Sequence, residues 1–173
     1  MHNKLILGFH TKDIVLIAFF AVILFVQEEI FTILPNIQLT VFLLVLYSKK
    51  LGVKRTSFII MIHVLLDNLV LGSFHLFYVP FMFIGWILIP ILLNTVFKNV
   101  EQSFQLALLG ILFSLLYSWI YIIPQVLFYQ VNWIGYLFAD IVFEILLAAS
   151  SFISILWLYD PCAKIFDRYL MNV

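Results

Sequence analysis

Residues 103–128 read SFQLALLGILFSLLYSWIYIIPQVLF and contain no Asp, Glu, Lys or Arg. A helix needs about 20 apolar residues to cross a hydrocarbon core, and at a rise of 1.5 Å per residue this run reaches about 40 Å. It is a membrane helix, and the rest of the chain is of the same material. Of its 173 residues, 65% are hydrophobic and 10% charged, with a mean hydropathy of +1.18. Soluble domains are about 45–50% apolar and about 25% charged. No soluble domain fits beside these apolar blocks, and no nucleic-acid partner is expected.

Working outward from that run, apolar blocks and their punctuation predict six helical segments, at 13–33, 38–50, 56–72, 79–97, 103–128 and 133–159. Asp13 suits the cap of the first, and Pro35, Pro80, Pro124 and Pro161 fall at or near ends, where a missing N–H matters least. Pro90 lies inside the fourth segment and predicts a kink there. The first block lacks a small-residue cleavage site and is read as a retained helix rather than a secretory signal. With no internal repeat or linker, the chain reads as one domain over 1–173. Its single cysteine, Cys162, rules out an intrachain disulfide and reads as an inert thiol.

Positive charge sets the orientation. Lys4 and Lys12 precede the first segment, Lys49, Lys50, Lys54 and Arg55 join the second to the third, Lys98 joins the fourth to the fifth, and Lys164 and Arg168 follow the sixth. The other three connections carry no Lys or Arg. Under the positive-inside rule both termini face the cytoplasm. The predicted architecture is therefore an all-α integral membrane bundle of six transmembrane helices, N-in and C-in. The second and third segments span only about 20 and 25 Å beside neighbours of about 40 Å, which predicts a depression in the bundle.

The polar residues gather at the opposite, outer half. Gln27, Glu28 and Glu29 end the first segment, Asn36 and Gln38 begin the second, and Asp67 and Asn68 lie late in the third. His75 and Tyr78 precede the fourth, Tyr121 and Gln125 are late in the fifth, and Trp133, Asp140 and Glu144 are early in the sixth. An ionisable side chain at the centre of a span costs about 2.5–3.5 kcal/mol on insertion scales, so it turns toward a partner or a wet cavity. Five acids sit here with no Lys or Arg to neutralise them. Asp140 and Glu144 share a helix face, as do His63 and Asp67, and Tyr117, Tyr121 and Gln125 form a stripe. Together they predict a polar, aromatic pocket opening outward, with the first connection as its lid.

Each of these residues also has a plainer reading. Glu28 and Glu29 read as solvated rim residues, His63 as a hydrogen-bonded packing residue, Glu144 as a partner of Tyr121, and Tyr78 and Trp133 as interfacial belt aromatics. The binding assignment is nonetheless made to Gln27, Asn36, Gln38, Asp67, Asn68, His75, Tyr78, Tyr121, Gln125, Trp133, Asp140 and Glu144. In the cytoplasmic half, small residues recur at Ala18 and Ala21, at Gly110, Ser114 and Ser118, and over 148–151. Such spacing lets helices approach closely in lipid; internal packing is expected for the Gly110 series. No P-loop, H-E-x-x-H or G-x-S-x-G is present, so the chain is not expected to bind ATP by itself or to be an enzyme. No cofactor and no metal ligand is assigned.

The stretches LPNIQLTVFLLVLYSKKLG (34–52), LLDNLVLGSF (65–74) and PFMFIGW (80–86), in a six-helix chain with an outward pocket and no ATPase, resemble the substrate-binding S components of bacterial energy-coupling factor (ECF) vitamin transporters. The resemblance implies a multi-pass protein of the bacterial cytoplasmic membrane that holds a vitamin or related micronutrient near the outer surface. It further implies a transmembrane coupling subunit with two ATPases, on which the S component topples to release its cargo. Many members carry A-x-x-x-A on the first helix for docking; here Ala18 and Ala21 stand one residue closer and receive that role. The nickel and cobalt branch also begins Met-His, as Met1-His2 does, but its amino terminus lies outside, whereas Lys4 and Lys12 place this one inside. A pocket with acids and no base disfavours a carboxylate cargo and favours a neutral or cationic one. The alternative functions are a stand-alone, dimeric secondary transporter and a membrane scaffold.

Overall fold

A computed structural model describes residues 9–70 and 77–169, with the backbone alone at Tyr169. Among these residues the chain is helical, in five elements: α1 (Thr11–Phe31), α2 (Thr40–Val70), α3 (Val79–Asn94), α4 (Ser103–Tyr129) and α5 (Trp133–Tyr169). α1, α4 and α5 are long and apolar enough to cross a membrane, and α3 is a shorter apolar helix. The bundle's exterior is studded with large apolar side chains, among them Val15, Phe19, Ile30, Leu69, Phe138 and Trp157. Such a surface suits lipid rather than water.

The sequence-predicted second and third segments are the two helical pieces of α2, which meet at a kink where Gly52 takes φ 76° and ψ 175°. That region is almost confined to glycine, so the break is written into the residue type. The piece before the break, including every residue from Val41 to Ser48, is buried. A helix that is apolar all round belongs in the middle of a bundle, and α2 indeed packs against each of the other four. α4 and α5 form the most extensive interface. Their approach follows from small residues: a Cβ on Gly110 would stand 2.5 Å from the Ile155 Cδ1. One turn on, the Ser114 hydroxyl donates to the Gly110 carbonyl at 2.8 Å and meets the Ser151 hydroxyl at 2.9 Å.

α5 runs ten residues further than its sequence-predicted end and passes through Pro161. The extension is held by tertiary contacts. Phe166 stacks on Phe20 of α1 with centroids 4.9 Å apart, and Asp167 pairs with Lys50 at 2.7 Å. Packing of this kind outweighs the hydrogen bond that a helical proline forgoes.

The described basic residues share one end of the bundle. Arg55, just past the break in α2, pairs with Asp13 of α1 at 2.7 Å. The Lys49 ammonium donates to the carbonyls of Leu93, Phe97 and Lys98 at 3.0–3.3 Å, closing the C-terminus of α3, as a cation at that end should. Ser103 at the start of α4 donates to Asp160 of α5 at 2.8 Å.

Candidate binding cavity

At the other end lies a cavity of about 420 Å³, within the range of small-molecule sites. α1 contributes Glu28, the first connection Asn36 and Gln38, α2 Asp67 and Asn68, and α3 Met82, with Tyr78 at its threshold. α4 adds Tyr117, Ser118, Tyr121 and Gln125, and α5 adds Tyr136, Asp140 and Leu147. Among the described residues, three carboxylates and no Lys or Arg line it.

One wall is aromatic. Trp86 and Tyr117 stack with centroids 3.6 Å apart and 15° between planes. Tyr121 follows at 5.1 Å, Tyr78 lies 6.0 Å beyond it, and Tyr129 is a further 5.7 Å on. Gly85 permits the stack, since a Cβ there would fall 2.6 Å from the Tyr117 ring.

The opposite wall is acidic. Asp67 is 8% exposed, and its Oδ1 has no hydrogen-bond partner. His63, one turn earlier and fully buried, places Nε2 3.1 Å from Oε2 of Glu28, close enough to pair but outside hydrogen-bond geometry. Asn68 instead spends its amide on the Val64 carbonyl at 2.8 Å and the Met82 sulfur at 3.4 Å. Unpaired buried carboxylate oxygens are costly, and the two residues that carry them line the cavity.

The later part of the first connection, from Asn36 on, packs against the bundle. Asn36 adopts a left-handed φ of 55°, and its carbonyl accepts from Ser150, well down α5, at 3.4 Å. The foot of this segment is fixed by Gln27, whose amide donates to Thr40 Oγ1 at 2.7 Å and to the Leu24 carbonyl at 2.9 Å while its Oε1 accepts from the Leu39 N–H at 2.9 Å.

Of the residues read from sequence as binding, the structure brings Asn36, Gln38, Asp67, Asn68, Tyr78, Tyr121, Gln125 and Asp140 to the cavity. Three fall elsewhere. Gln27 is buried and committed to the bonds just described, so it ties α1 to the first connection rather than offering its amide to a ligand. Trp133 is 55% exposed at the start of α5, which fits a belt aromatic. Glu144 is buried and does not line the cavity. His75 lies outside the described residues. Glu28, read as a solvated rim residue, instead lines the cavity. Tyr136 was missed, although it stands one turn before Asp140 on the same face. Ala18 and Ala21 cannot share a docking surface, because Ala18 faces outward while Ala21 is fully buried.

No family model, no curated protein and no solved structure matches this chain.

Proposed function

We propose that the chain is the substrate-capturing subunit of an importer of the energy-coupling factor kind, resident in the bacterial cytoplasmic membrane. It crosses the bilayer six times, the two halves of α2 and the shorter α3 included, with both termini inside. It takes up a vitamin-like small molecule at an outward-facing cavity and delivers it with a transmembrane coupling subunit and two ATPases. The observation that carries the reading is the segregation of charge: acids, amides and tyrosines enclose a ligand-sized cavity at one end, and the paired basic residues gather at the other. The positive-inside rule turns that cavity outward. The resemblance of 34–52, 65–74 and 80–86 to S components supports the choice of transporter class.

The test is native mass spectrometry of the protein isolated from cells in rich medium, together with affinity capture from the same membranes. A bound small molecule and a co-captured ATPase pair with its coupling subunit are expected. Uptake driven by an ion gradient through the purified chain alone, in liposomes, would replace this reading with a secondary carrier.

A further inference from the structure

From the cavity's two unlike walls we infer that the ligand is a flat organic cation, with its charged nitrogen lodged between Asp67 and Glu28 and its ring lying along Tyr121 and Tyr78. The inference rests on the proposed role of this cavity as a substrate site and names the chemistry that it selects.

Three observations converge. Asp67 is more than nine-tenths buried, yet Oδ1 lacks a partner, and Oε2 of Glu28 has no hydrogen bond either. Buried polar atoms in a finished site are nearly always satisfied, so these two acceptors await a donor. Among the described residues no Lys or Arg borders the cavity to supply it, and the ring nitrogen of His63 nearby is poorly aimed at Glu28 and leaves Asp67 without a hydrogen bond. Finally, Tyr117 and Tyr121 line the same cavity as Glu28 and Asp67, so the aromatic wall and the acids enclose one space. An aromatic face attracts a cation in its own right, and more strongly where water is excluded. A ligand presenting an amidinium, ammonium or protonated ring nitrogen on a planar body meets both walls at once; a carboxylate meets three acids.

The experiment compares three molecules of one shape on the purified full chain in nanodiscs: benzamidinium, benzamide and benzoate. Dissociation constants are read by ligand-observed NMR titration. Benzamidinium is expected to bind about tenfold or more tightly than benzamide, with benzoate weakest. Asp67→Asn and, separately, Glu28→Gln should each bring benzamidinium toward the benzamide value without weakening benzamide; two variants guard against one that fails to fold. Equal binding of all three, or a preference for benzoate, overturns the cation assignment. So does a preference that neither variant alters. If Ser118→Phe, which fills the cavity floor, abolishes binding that was indifferent to charge, the cavity remains a site and only the cation inference falls. Failure of all three to bind also overturns it, and the substrate role is then judged separately by the co-purified molecule.

Discussion

Tyr117 of α4 lies flat on Trp86 of α3 at a centroid distance of 3.6 Å because residue 85 has no side chain to hold it off. This one contact links the packed core to the cavity wall, since Trp86 is wholly buried while Tyr117 borders the open space.

Gly85→Ala places a methyl about where the Tyr117 ring now sits. Overpacking of this type costs about 1–3 kcal/mol, and the displaced ring would carry Tyr121 with it. The variant should melt at a lower temperature in detergent and bind ligand more weakly; a wild-type melting curve would show that the stack is slack.

Asp67→Asn should act in opposite directions on stability and on binding. An unsatisfied buried polar group costs about 1–3 kcal/mol, and removing its charge beside Glu28 relieves that cost. Ligand-free protein is therefore expected to unfold at a higher temperature than wild type while losing affinity. A variant less stable than wild type would mean that the carboxylate is held by a structural partner.

Gly52→Ala introduces a side chain into open space, where it touches nothing within 4 Å. Any destabilisation must then come from the backbone, for which φ 76° with ψ 175° carries a penalty of about 1–3 kcal/mol. Thermal unfolding should register that loss, and an unchanged midpoint would argue that the two halves of α2 join without strain.

Lys49→Met removes the ammonium that closes three carbonyls at the end of α3. Hydrogen bonds to a charged donor are worth about 1.5–3 kcal/mol each in favourable cases, and water would replace part of that here. A net loss of about 1–2 kcal/mol is expected in chemical unfolding, with ligand binding unaffected because the cavity is at the far end.

Much of this arrangement was legible in the sequence because membrane segments make polar residues conspicuous. Asp67, Asn68, Tyr121, Gln125 and Asp140 stood out against apolar neighbours, and each reaches the cavity. Depth and helix face do not disclose hydrogen-bond commitment, however. Gln27 has the right position and polarity but is spent on Thr40 and Leu39, contacts between segments that spacing cannot foretell, and Glu144 is buried outside the cavity lining. Glu28 went the other way: an acid at a helix end reads as solvated until its approach to the buried His63 of α2 is seen. Pro161 misled for a similar reason, since the contacts of Phe166 and Asp167 with α1 and α2 carry the helix past it. The charged link between the second and third segments was legible, but not that it is a kink made at Gly52 rather than a loop.

The central claim is that water and ligand reach the cavity from the outer side, and Ser118 on its floor reports on this most directly. In a Cys162→Ser background, Ser118→Cys in intact cells should react with a membrane-impermeant cationic thiol reagent, and bound ligand should protect it. A thiol that stays unmodified in intact cells, or reacts only in inverted vesicles, would contradict the account.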